Sequence, residues 1–274
     1  MLQRLISQIK GGYQMNLVAM MQREGFMDVA LKSLHSRSAR SRHAACTVLS
    51  YFSDPAAIAA LGQALKDENL AVRIVAAHAL IQKDQIDFLP QLLADLKFSP
   101  EDPPLIMAEI FARLPNRLWS QAIQMLDNPI PDEWKRMLAI ALGRNHAAEA
   151  IPALHRLSQH PSGRVRAAAW VAFLELGDAQ AGKYVMEGLK DPSATVRQAA
   201  CRCAGAFGDP ESSEYLVGLL QDEDWWVRFA AAQGLYDLGG TSRECLEDRT
   251  KAAADNDVAL LVLREREMEA LYGL

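Results

Sequence analysis

Residues 196–228 read VRQAACRCAGAFGDPESSEYLVGLLQDEDWWVR, a stretch that opens and closes on Val-Arg, with Arg197 and Arg228 standing 31 residues apart. The same stride backwards from Arg197 meets Arg166, Lys135, Pro104, Arg73, Arg42 and Gly11. The preceding position keeps time with it: Val72, Val165, Val196, Val227 and Val258, with Ser41, Pro103 and Trp134 as departures. A fixed, ungapped period of this size marks a repeat architecture. Each repeat is one supersecondary brick that buries its apolar face only against its neighbours.

Inside the period the pattern is helix, tight turn, helix, loop. From Thr195 to Gly208 apolar residues recur at helical spacing, and Gly208-Asp209-Pro210 then breaks the run. Glycine accepts positive φ, and proline cannot continue a helix but suits the first turn of the next one. The turn returns as Ser53-Asp54-Pro55, Gly177-Asp178-Ala179 and Gly239-Gly240-Thr241. The second helix carries Leu216, Leu219 and Leu220 on one side, and Leu61, Leu92 and Leu154 stand at equivalents of Leu216. With 3.6-residue periodicity in each arm and no alternating stretch, the fold class is all-α.

Small residues carry the predicted packing. One first-helix column reads Ala45, Ala76, Met107, Leu138, Ala169, Ala200, Ala231, and the next reads Cys46, Ala77, Ala108, Ala139, Trp170, Cys201, Ala232. Short side chains let helix axes approach closely. Trp170 is read as filling a gap in the core, and Trp134, at the valine position, as core.

The unit Asp-x-x-x-x-Val-Arg-x-Ala-Ala-x-x-Ala-x-x-x-Gly-Asp-x-x-Ala resembles the short HEAT-like repeat first described in phycobilisome lyases. The resemblance covers nearly the whole chain. It implies a right-handed α-solenoid of about eight stacked helix-turn-helix repeats. The expected organisation is one array over 1–274: a degenerate N-terminal repeat at 1–35, seven repeats over 36–252, and a C-terminal capping helix at 253–274. Irregular loops are expected around Pro100, Pro103 and Pro104 and again at Pro129-Ile130-Pro131. For function the resemblance is broad, because such arrays serve as binding scaffolds, chromophore-lyase subunits, metabolic-enzyme components and, in one branch, DNA-alkylation glycosylases. Fold alone does not choose among them.

Composition narrows the field. The longest apolar runs, such as Val258 to Leu263, are far short of the ~20 residues that span a bilayer, and the N-terminal MLQRLISQIKGGYQ lacks the apolar core of a secretory signal. Cys46, Cys201, Cys203 and Cys245 show no disulfide-framework spacing, which points to a reducing, cytoplasmic setting. The chain carries a net charge of −5, an argument against a nucleic-acid partner. Its first fifty residues are nonetheless basic, with Arg4, Lys10, Arg23, Lys32, Arg37, Arg40 and Arg42 against Glu24 and Asp28. Such asymmetry steers an acidic partner or a membrane surface toward that end.

The repeated arginine could grip phosphates, but an aspartate precedes it by six residues at Asp67/Arg73, Asp191/Arg197 and Asp222/Arg228. An Asp leading into a helix caps free N–H groups, and a planar guanidinium bridges it to the neighbouring repeat. The series is therefore read as structural, made of exposed pairs contributing ~0–1 kcal/mol each. The histidines His35, His43, His78, His146, His155 and His160 form no metalloprotease pair, and no nucleophile elbow, P-loop or dinucleotide fingerprint is present. Cys201 and Cys203, two apart on a helix, point in different directions. No catalytic residue, metal or cofactor is expected.

A binding surface has more footing. One second-helix position expected to face solvent reads Ala60, Gln91, Ala122, Ala153, Tyr184, Tyr215. The two tyrosines, one period apart, either meet a ligand side by side, flanked by Lys183, Glu187 and Glu214, or half-bury against neighbouring helices. Trp225 is expected to pack and Trp226 to be exposed. The sequence thus reads as a non-catalytic scaffold that binds a protein partner on its concave helix face through Lys183, Tyr184, Glu187, Glu214, Tyr215 and Trp226. The alternatives are a bilin-lyase-like subunit handling a tetrapyrrole, or a DNA-binding glycosylase relative, against which the chain's acidity weighs.

Overall fold

The computed structural model describes residues 12–86, 89–96, 110–208, 210–250 and 257–272, and every regular element among them is helical. The chain divides into two compact units, Met1–Gln121 and Ala122–Leu274. The first contains α1 (Gly12–Arg23), α2 (Phe26–Ser33), α3 (Ala39–Leu49), α4 (Pro55–Ala64), α5 (Leu70–Gln82) and α6 (Leu89–Leu96). After a 3-10 turn at Asn116–Leu118, α7 (Trp119–Asp127) spans the change of unit. The second unit continues with α8 (Asp132–Arg144), α9 (Ile151–Leu157), α10 (Gly163–Leu176), α11 (Val185–Leu189), α12 (Ala194–Phe207), α13 (Pro210–Leu219), α14 (Trp225–Leu238), α15 (Gly240–Thr250) and α16 (Val258–Tyr272). Short 3-10 segments, Ala148–Ala150 and Ala179–Tyr184, lead into α9 and α11.

Within each unit consecutive helices pack in pairs that stack in sequence order. First helices pack on first helices (α3 on α5; α8 on α10 on α12 on α14 on α16), and second helices on second helices (α2 on α4; α11 on α13 on α15). This is the consequence of a constant period: equivalent residues come into register on neighbouring helices. The small columns are buried as the spacing predicts, with Ala45, Cys46, Ala76, Ala77, Ala139, Ala169, Ala200, Cys201, Ala231 and Ala232 all in the core. Met107 and Ala108 lie outside the described residues. Helices α12 and α14 approach closely. A Cβ on Gly205 would come 2.8 Å from the Gly234 Cα, and one on Gly234 would come 2.7 Å from the Cys201 carbonyl oxygen.

Trp170 fills the core at 2% exposure. Room for it comes from Gly188, which stands where Leu157 and Leu219 stand one period to either side; a Cβ there would lie 2.8 Å from the indole Cε2. Trp134 departs from expectation and is only half-buried. Val72, Val165, Val196 and Val227 fill this slot completely, and an indole is too large for a slot sized to valine.

Two glycines of the inter-helix turn serve different needs. Gly177 ends α10 at φ +68 with open space around it, so its role is conformational. Gly208, expected to use positive φ as well, has φ −67. A Cβ there would lie 2.4 Å from the Ala204 oxygen and 2.5 Å from the Ser212 hydroxyl, so glycine is required for space. Asp54 caps α4 by accepting from the Ala56 amide at 2.8 Å, with Pro55 opening the helix. The irregular loop expected at Pro129–Pro131 is present and ends where α8 begins; Pro100, Pro103 and Pro104 lie outside the described residues. No helix of the described residues is long and apolar enough to cross a membrane.

Candidate functional site

The repeated arginine has a defined geometry. Arg42, Arg166 and Arg197 each hold an aspartate 25 residues downstream through a two-pronged fork, Nε to one carboxylate oxygen and Nη2 to the other, at 2.7–2.9 Å. The partners are Asp67, Asp191 and Asp222. The remaining nitrogen, Nη1, donates to the two carbonyls that open the arginine's own leading loop: Ser36 and Arg37 for Arg42, His160 and Pro161 for Arg166, Asp191 and Pro192 for Arg197.

Two sequence expectations are corrected here. The pairs are not exposed: each of these side chains retains only about a tenth of its surface. The aspartate is also not the helix cap. It accepts from the amide two residues on, at Asn69, Ser193 or Asp224. Capping falls to Asn69, which accepts from Ala71, and to Asp224, which accepts from Trp226 and Val227.

The electrostatics agree with this geometry. The guanidinium of Arg42, with the Asn69 amide and Arg73 nearby, outweighs burial and holds Asp67 below the usual carboxylate range. For Asp191 and Asp222 burial is the largest single influence and pushes upward. The Arg166 or Arg197 fork and a backbone amide together overcome it, leaving both lowered. The three forked rungs are neutralised from within and have no charge to spare for phosphate.

The three buried thiols, of Cys46, Cys201 and Cys203, are equally committed. Burial pushes Cys46 and Cys203 up to about 12, and Cys203 Sγ donates to the Trp170 carbonyl at 3.1 Å, so neither is a thiolate nucleophile at neutral pH. Among the described residues no cluster of His, Cys, Asp and Glu could hold a metal ion. A cleft of about 320 Å³ opens between the loop after α9 and the end of α11, over Trp170, with Gln159, His160, Glu187 and Asp191 on its walls. Its counterpart in the first unit, about 500 Å³, is lined by Leu34, His35, Gln63 and Asp67. These four stand four periods before Ser158, Gln159, Glu187 and Asp191, so the cleft belongs to the repeat.

The expected tyrosine face exists in the second unit. Tyr184 is 46% exposed and Tyr215 40%, with Lys183, Glu187 and Glu214 exposed beside them. Each ring is held from one side. Tyr184 meets the edge of His155 at 4.5 Å between centroids, and His155 in turn packs on buried Phe173 at 4.8 Å. Lys190 Nζ lies 4.4 Å from the Tyr215 ring centroid, and Gln159 donates to Glu187 at 2.6 Å. Sequence spacing does not mark His155, Gln159 and Lys190 for this face, because they stand 29, 28 and 25 residues before Tyr184, Glu187 and Tyr215 and share no fixed offset.

The position as a whole does not face solvent. Ala122 and Ala153 are buried, because a methyl group ends inside the stack where a tyrosine ring emerges from it. Trp226 does not join the tyrosines. It stands on the first-helix set, at the start of α14, and its ring contacts are Trp225 at 4.6 Å and Phe229 at 6.3 Å. Trp225 packs as expected, stacked on Phe229 at 5.2 Å, but remains 39% exposed, and Trp226 is 58% exposed.

The family described as HEAT repeats matches residues 27–103 and 182–264. No curated protein matches the chain. Among solved structures, the complex of CpcE and CpcF of phycocyanin lyase from Nostoc sp. PCC7120 is similar over 88% of this chain and 94% of that chain, at 21% identity and a TM-score of 0.36. An engineered protein is similar over 94% of this chain and 81% of that one, at 17% identity and a TM-score of 0.46. The family match spans more than half of the sequence, so the chain belongs to the HEAT-repeat family.

Proposed function

We propose that this protein is a non-catalytic scaffold whose second unit binds a protein partner on the second-helix face, through Lys183, Tyr184, Glu187, Glu214 and Tyr215. The observation that carries the reading is the state of the two tyrosines. Each leaves two fifths or more of its surface open while one side of its ring is already held by His155 or Lys190. A ring held in place loses little rotamer freedom when a partner covers it, which lowers the cost of binding. Tyrosine also combines apolar area with a polar tip, the combination enriched in interface hot spots. The charged residues around the pair supply the polar rim that such sites use for register.

A photo-crosslinking amino acid at position 184 or 215, with an exposed control at Glu149, tests this in cells. The expected result is the same discrete protein adduct from 184 and 215 and none from 149. Reconstituted with that partner, Tyr184→Ala or Tyr215→Ala weakens affinity roughly tenfold or more, about 1.4 kcal/mol, with an unchanged melting temperature. Adducts indistinguishable from the control, or variants of full affinity, would overturn the proposal.

A further inference from the structure

The first-helix face of the second unit carries its own groove, independent of the tyrosines. The period places Glu133, Arg164, Thr195 and Trp226 in one column, Arg136, Ala167, Gln198 and Phe229 in the next, and Ile140, Val171 and Arg202 in a third. Over α8 and α10 these columns enclose an open groove of about 400 Å³. Its floor is Ile140, Ala167, Ala168 and Val171; its rim is Glu133, Arg136, Arg164 and Thr195.

The rim charges are unequal. Glu133 and Arg136 satisfy each other through a two-pronged pair, and the Thr195 hydroxyl is shared with Ser193 at 2.9 Å. Arg164 is exposed, and Glu133 feels its charge, after its bond from Arg136. That positive charge stands beside apolar ground, in a chain whose net charge is −5. One period beyond Val171 the same column continues with exposed Arg202, a second cation on the same face.

We propose that this groove is a second docking site, taking an acidic, aliphatic-bearing helical segment of a protein partner. A leucine-type side chain occupies the floor between Ile140 and Val171, and a carboxylate from the same segment pairs with Arg164. An arginine fork prefers a carboxylate to a hydroxyl or amide because both oxygens are engaged at once. An aliphatic anchor supplies the apolar burial that a surface ion pair by itself does not. A basic segment would leave Arg164 facing a like charge, which selects against it.

The probe is a fluorescein-labelled helical peptide with leucines at i, i+3, i+4 and i+7 and glutamates elsewhere, alongside versions carrying lysine or glutamine for glutamate. Anisotropy is read with the full-length chain. The acidic peptide binds saturably, more weakly as salt rises, and the glutamine peptide binds several-fold less; the lysine peptide does not bind. Arg164→Glu and Val171→Asp each lose roughly tenfold or more, Arg164→Lys loses less, and Tyr184→Ala/Tyr215→Ala is unchanged. Unaltered helical circular dichroism in each variant excludes unfolding as the cause. Equal binding by the three peptides, no binding by the acidic one, or indifference to Arg164→Glu and Val171→Asp would overturn the assignment. A loss on the tyrosine double variant alone would move the site to the other face.

Discussion

In the second unit two arginine rungs follow in succession, Arg166 to Asp191 and Arg197 to Asp222, whereas in the first the series halts after Arg42 and Asp67. Arg73 comes next there, but 25 residues beyond it the sequence has Phe98, and its Nε–H turns instead to the Leu96 carbonyl at 2.9 Å. Its other bonds are unaffected: Nη1 donates to the Asp67 and Glu68 carbonyls, as Arg228 does to Asp222 and Glu223. The five arginines all make this clip at 2.8–3.2 Å. Two tasks are therefore separable on one guanidinium, whose five donors allow both. The clip shapes a repeat's own loop, and the fork couples it to the repeat that follows.

The separation predicts unequal losses, measured by urea denaturation of the full chain. Arg197→Ala removes clip and fork and leaves the nearly buried Asp222 carboxylate without its cation, a cost of about 2–4 kcal/mol. Arg228→Ala removes only a clip and costs about 1 kcal/mol. Equal losses would mean that the fork adds nothing beyond loop closure.

This division of labour was half legible in the sequence. The period is plain because Val-Arg and the turn after it keep one ungapped spacing, and it places every described alanine and cysteine of the two first-helix columns in the core. The bridge to the neighbouring repeat is the one expected, but the arginine that makes it stands 25 residues before the aspartate and not six after it. Asp67 precedes Arg73 by six residues, yet it offers Arg73 its carbonyl and Arg42 its carboxylate. Spacing along a chain shows which groups share a loop; which oxygen of that loop meets which repeat depends on how the helices stack. Tyr184 and Trp226 teach the same limit. Both are exposed aromatics, but helix order decides the face each occupies, and Trp226 belongs with Phe229.

The fork can also be read through pH. Asp191→Asn keeps an oxygen for the Ser193 amide but loses the charge that Arg166 holds, costing about 1–2 kcal/mol at neutral pH. Because the native Asp191 is held below its ordinary value, its contribution is full above the unfolded-state pKa of about 3.9. It then disappears as pH falls through the lower native value. The stability gap between wild type and variant should therefore be constant from neutral pH down to that range and close below it. A gap that persists in acid would assign the loss to packing.

The smallest effect is expected where the series is broken inside the second unit itself, at Lys135 and His160. Lys135 sends its ammonium to the Leu126 carbonyl at 2.8 Å. His160, in the place of the aspartate, accepts from the Ser162 amide through Nδ1 and gives Arg166 its carbonyl. The loop has thus kept its turn and its clip and lost only the fork. Lys135→Arg with His160→Asp restores both ends at the spacing the neighbouring rungs use, and should add about 0.5 kcal/mol. The gain is held down because the new carboxylate would lie near Asp132, whose Oδ1 is 3.8 Å from the histidine Nε2. Neither substitution alone has a partner of the right shape, so the benefit should appear as coupling in a double-mutant cycle. If the cycle closes additively, the 25-residue spacing is insufficient and the backbone at this joint has drifted from the geometry of its neighbours.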